Sequence, residues 1–143
     1  MKLRWDLKEI VDFGKRLGDS YELETALMTA TKEIAKVLHN TILINTPVDT
    51  GNLRKMWSAG DNLAFTIENV NNGYQVTLIN TAQNEHGFKY GVAVNDGHKS
   101  RNGGWVMGRF FVERSVLVTA NSARIQGIVR SELSKWFTRC VNG

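Results

Sequence analysis

Proline occurs once in this chain of 143 residues, at Pro47, and cysteine once, at Cys140. A lone cysteine excludes an intramolecular disulfide and any cysteine-based metal site, leaving Cys140 as an ordinary thiol near the end. No apolar run approaches the length of a membrane span, and Met1-Lys2-Leu3-Arg4-Trp5-Asp6 passes at once into charged residues where a signal peptide would have an apolar core. The chain is therefore expected to be soluble and not secreted by that route. Acidic residues are scarce in one part of the chain. Residues 61–98 carry four acids against Lys89, whereas residues 99–143 carry eight lysines and arginines against Glu113 and Glu132. Those basic residues are spread along a helix without interleaved aromatics or a groove-reading motif, which argues against sequence-specific DNA binding. Charge complementarity between copies of the chain accounts for the division equally well.

With 42% apolar residues, the length suits one domain with a substantial core. Asp6 to Leu17 reads as a short amphipathic helix, 6–17, closed by Gly18. Asp19 and Glu22 have the spacing of a capping box. Leu23, Ala26, Leu27, Ala30, Ile34, Val37, Leu38 and Ile42 then recur at helical spacing, predicting a helix over 20–44 that is roughly 35 Å long at the helical rise. The pattern changes to period two in a sheet region, 62–96. There Leu63 to Val70 and Tyr74 to Asn80 flank Asn71-Asn72-Gly73 as a hairpin whose turn accepts positive φ, and Tyr90 to Asn95 reads as a third strand. A polar, glycine-rich loop follows over 97–108, and 109–139 is helical again, with an interruption allowed at Thr119 to Ser122. The predicted class is α+β, a small antiparallel sheet packed against two long helices in a single domain.

The segment Asn45-Thr46-Pro47-Val48-Asp49-Thr50-Gly51-Asn52-Leu53-Arg54 admits two readings. As Asp-Thr-Gly it matches the water-polarising loop of an aspartic protease, in which two carboxylates share a proton. That loop is borne on strands, whereas here a helix leads in and Asn52 to Ser58 leads out as a helical turn. In the other reading Pro47 stops the first helix, Asp49 or Thr50 accepts from free amides of the next turn, and Gly51 allows close packing. This second reading explains every residue of the motif. His39, His86 and His98 match no helix-borne or knuckle-type metal pattern, and Gly103, Gly104 and Gly108 lack the lysine and hydroxyl residue of a phosphate-binding loop. No catalytic residue, cofactor or metal is assigned.

Three blocks, Thr46-Pro47-Val48-Asp49-Thr50-Gly51-Asn52-Leu53-Arg54, Tyr90 to His98, and Gly104-Trp105-Val106-Met107-Gly108-Arg109-Phe110-Phe111, resemble in this order the bacteriophage tail-component family typified by gene product ten of phage HK-ninety-seven. The resemblance spans about Leu23 to Leu133. Met107 departs from the proline usual in the third block, and Asn95-Asp96-Gly97 from the usual acidic residue. What the resemblance implies is a virion protein of the neck. It would be a tail completion or terminator ring, a hexamer of this chain, that caps the tail tube and meets the head-tail connector or stopper protein. DNA would pass through without specific binding, and the particle would assemble in the host cytoplasm. A ring needs two unlike faces, which the acidic and basic regions supply. On this reading Pro47, Asp49, Thr50, Gly51, Arg54 and Trp57 in the first loop, with His98, Arg101, Trp105 and Arg109 around the second, shape the loops or contact neighbouring subunits and the tail tube. Trp57 and Trp105 serve either as interface anchors or as core.

Overall fold

A computed structural model describes residues 2–6, 8, 20–58, 63–71 and 73–142. Its elements in chain order are β1 (Lys2–Asp6), α1 (Ser20–Asn45), α2 (Asn52–Lys55), β2 (Trp57–Ser58), β3 (Thr66–Val70), β4 (Gly73–Thr77), β5 (Ile79–Asn80), α3 (Gly91–Asp96), β6 (Gly97–Lys99), β7 (Trp105–Met107), α4 (Phe111–Ala120) and α5 (Ala123–Asn142). The α+β class is the expected one. Most of the helix expected over 6–17, and Asp19 of the capping box, lie outside the described residues, and Lys2–Asp6 form a strand that sequence patterning did not announce.

Helix α1 is the spine. Leu23, Ala26, Leu27, Ala30, Ile34, Ala35, Leu38 and Ile42 form its buried stripe, packed against α4, α5 and β4. Each fully buried leucine or isoleucine contributes about 1.5–3 kcal/mol of apolar burial. Thr31 lies within the stripe and satisfies its hydroxyl on the Leu27 carbonyl one turn back, at 2.8 Å. Around Ile42 the core gathers Leu53, Trp57, Val76, Leu78, Ala82 and Phe111. Near Leu23 and Leu27 a second cluster takes in Tyr74 and Trp136.

Strand β4 lies at the centre of a three-stranded antiparallel sheet, β1-β4-β3, with Ile67 opposite Val76 on one side and Leu3 opposite Val76 on the other. Asn71, at φ 42°, supplies the positive φ expected of the β3–β4 turn. The second predicted strand does not run straight through to Asn80. It breaks at the fully buried Leu78, and Ile79–Asn80 leave to pair with Trp57–Ser58 as a separate ribbon. The expected third strand at Tyr90–Asn95 is helix α3 instead. Val94 N donates to Tyr90 O at 3.0 Å, and Val92, which a central strand would bury, faces solvent. The carbonyls of Val94 and Asn95 are taken by the amides of Arg109 and Phe110.

Within the expected loop 97–108, β6 and β7 form a two-stranded hairpin, with Gly97 opposite Met107 and Lys99 opposite Trp105. The C-terminal helical region is two helices. Asn121 and Ser122 separate them, and Ser122 Oγ starts α5 by accepting from Arg124 N at 3.2 Å. No helix among the described residues is long and apolar enough to cross a membrane.

Candidate functional site

Pro47 lies one residue beyond the end of α1, separated from Asn45 by Thr46, where the last helical carbonyls need partners. Arg54 meets that need from the next turn, its guanidinium donating to Thr46 O at 3.2 Å and to Ile44 O at 3.4 Å. A cation on helix C-terminal carbonyls also complements the dipole. Thr46 Oγ1 donates to Ile42 O at 2.5 Å and accepts from Trp57 Nε1 at 2.9 Å. Trp57 is 7% exposed and meets Phe111 edge to face, with ring centroids 6.2 Å apart. Of its two sequence readings the core one holds, for the indole is spent on shaping the loop. Gly51 stands just before α2 at φ 81°, a conformation that suits glycine. The acceptor for Asn52 N is Thr50 Oγ1, at 3.4 Å, while Asp49 is exposed beside it. The Asp-Thr-Gly sequence thus joins two helices.

The second and third blocks meet at a backbone crossing. A Cβ on Gly108 would lie 2.3 Å from Asn95 O, and one on Gly97 would lie 2.6 Å from Val106 O, so neither site accommodates a side chain. Arg109 N donates to Val94 O at 3.0 Å and Phe110 N to Asn95 O at 2.9 Å. Asn95 locks the crossing. Its buried side chain accepts from Val112 N at 3.0 Å, in the first turn of α4, and donates to Glu113 Oε1 and Oε2 at 3.0 Å and to Asp96 Oδ1 at 2.6 Å. The helix cap is therefore supplied from a distant turn. Sequence reading missed Asn95. The only signal was an amide in a block where an acidic residue is usual, two residues before a glycine.

From this crossing the hairpin projects. Trp105 is 62% and Met107 71% exposed, and Val106, Val92 and Phe110 are exposed near its base. Arg101 sits at the turn, closed by Gly103 N on Ser100 O, and His98 Nδ1 lies 3.4 Å from Ala93 O. Along β7 successive side chains alternate faces, so Trp105 and Met107 share one side of the ribbon and Val106 lies on the other, all three exposed. The structure brings Pro47, Asp49, Thr50, Gly51 and Arg109 to one cleft of about 640 Å³. His98, Arg101 and Trp105 belong to the arm, and Trp57 to the core beneath. The His86 ring lies 3.4 Å from the Glu85 carboxylate, and no group of three metal-ligating side chains assembles among the described residues.

The fold is a single α+β domain from which a hairpin with exposed apolar side chains projects. Over residues 8–97 the chain matches the family model described as "Bacteriophage HK97-gp10, putative tail-component", and it belongs to that family of bacteriophage tail components. The matched span includes the Thr46–Arg54 block and most of the Tyr90–His98 block; the Trp105 arm and the last two helices extend beyond it. No curated protein and no solved structure matches the chain.

Proposed function

We propose that the chain is a non-enzymatic tail completion or terminator protein of the virion neck, closing the head-proximal end of the tail tube as a ring and joining it to the head connector. The family places it among tail components, which act by contact with other tail or head proteins. One observation carries the finer reading. The β6–β7 arm presents Trp105, Val106 and Met107 to solvent on a base fixed by the Gly97–Gly108 crossing, so the apolar surface is pre-organised and loses little entropy on docking. Such an arm supports a heterologous contact, the kind a closed ring of identical subunits requires. Six copies are the stoichiometry taken from the family resemblance, and DNA passes through the ring without being read.

Negative-stain microscopy and sedimentation of the purified chain, alone and with tail tubes, test this. Rings or capped tubes are expected from the parent chain, and their loss from Trp105→Ser and Met107→Ser variants that keep the parent melting temperature. Rings or caps that form equally well with both variants would remove the arm from the assembly role. A monomer at every concentration, even with tubes present, would remove the ring.

A further inference from the structure

A second cleft, of about 420 Å³, opens between the end of α1 and the start of α4, and three arginines line it. Arg54 reaches it from α2, Arg109 from the backbone crossing, and Arg114 from the exposed side of α4. Arg54 is held by the α1 carbonyls. Among the described residues, the guanidinium groups of Arg109 and Arg114 have no hydrogen bond or ion pair with the rest of the chain. The nearest acid in sequence, Glu113, gives both carboxylate oxygens to Asn95 and lines a different groove. Asp49 lines the adjoining cleft that shares Arg109 but forms no ion pair with it, so among the described residues the lining of this cleft holds three cations and no acid. Its floor is firm: Asn45 Nδ2 donates to Ser115 Oγ at 3.1 Å, and the Thr46–Trp57–Phe111 packing lies alongside. Its rim is apolar, with Ile44 76% exposed and Val48 exposed next to it.

We propose that this cleft binds a carboxylate-bearing segment of a partner protein, an acidic side chain beside an aliphatic one. Guanidinium forks match carboxylates bidentately, and an apolar rim around a charged centre is the anatomy of a protein–protein contact. Duplex DNA fits less well. Its phosphates lie on a convex cylinder and are matched by basic residues strung along a surface, whereas here the charge converges on one recess bordered by Ile44 and Val48. The proposal rests on the assembly reading only for the expectation that the acid comes from another virion protein.

The test is an NMR titration of the isotope-labelled full chain with a short peptide in which glutamates alternate with leucines, its glutamine counterpart, and duplex DNA. The acidic peptide is expected to shift the Nε–Hε signals of Arg109 and Arg114, more weakly as salt rises, and the glutamine peptide to leave them in place. Arg114→Gln or Arg109→Gln should weaken binding by roughly tenfold, with Arg114→Lys intermediate and Arg139→Gln on α5 without effect. The proposal is overturned if the peptide leaves both signals unmoved, if Arg139→Gln weakens it equally, or if duplex DNA binds the same arginines more tightly. Peptide binding lost in variants that still form rings confines the failure to this cleft. Peptide binding retained by a chain that forms no rings confines it to the assembly reading.

Discussion

The contact between Thr46 and Trp57 lends itself to a quantitative test, because one hydroxyl holds a buried indole. Thr46→Val keeps the shape of the side chain and removes the hydroxyl. Ile42 O loses little, since it still accepts from Thr46 N at 2.9 Å. Trp57 Nε1 loses its one acceptor among the described residues, at 2.9 Å, inside the core. An orphaned buried donor costs about 1–3 kcal/mol, so we expect a loss of about 2 kcal/mol. Trp57→Phe removes the donor together with part of the edge contact to Phe111, and is expected to cost about 1–3 kcal/mol through the space it leaves. Once the indole is gone the hydroxyl has nothing to hold, and adding Thr46→Val should then cost about 0.5 kcal/mol or less. The coupling energy of the double-mutant cycle should therefore be about 1–2 kcal/mol. Urea unfolding followed by far-ultraviolet circular dichroism measures it without relying on tryptophan fluorescence, with an unchanged m-value as the check on two-state behaviour. Single costs that add to within about 0.3 kcal/mol would refute the claim that this hydroxyl and indole act as a unit.

Gly108→Ala should place a Cβ against Asn95 O and loosen the arm, so limited trypsin digestion should cut at Lys99 and Arg101 much faster than in the parent, an unchanged rate counting against a clamped base. Asn95→Ala removes the distant cap of α4 and should lower stability by about 1–2 kcal/mol in chemical denaturation, whereas Asn95→Asp should fare worse than a simple cap replacement because it sets a third carboxylate beside Asp96 and Glu113. Tyr74 has its phenol pKa raised above the usual 10.0, first by burial and then by the charge of Glu24, and its hydroxyl donates to Glu24 O at 3.1 Å. The native state therefore holds the phenolic proton more tightly than the unfolded chain. Its stabilising effect is complete below the unfolded pKa and is lost as pH rises through the folded one, so unfolding free energy should fall above about pH 10, and Tyr74→Phe should flatten that decline in a pH series of melting curves.

Helix α1 was legible because its burial is one-sided and local. Leu23 through Ile42 repeat at helical spacing, and Pro47 ends the helix by its own covalent chemistry. The turn at Asn71 was legible for the same reason. What escaped depended on partners distant in sequence. Strand Lys2–Asp6 exists by pairing with Gly73–Thr77, and a five-residue segment carries little of that information itself. Tyr90–Asn95 has the composition of a strand, yet its Val94 and Asn95 carbonyls are claimed by Arg109 and Phe110, and the segment winds into a short helix. At the candidate site the blocks showed where the loops lie. Which tryptophan faces outward was decided by Thr46 and Phe111, and the Asn95 cap by a helix that begins beyond the arm.

The crossing at Gly97 and Gly108 also separates two quantities that usually trade against each other. Because the ends of the 97–107 excursion are pinned by backbone contacts, the core does not sense the length of what lies between them. Lengthening a closed loop costs little entropy, only about 0.6 kcal/mol for each doubling. A chain built this way can lengthen, shorten or rewrite its arm while the helices and sheet that hold it keep their packing.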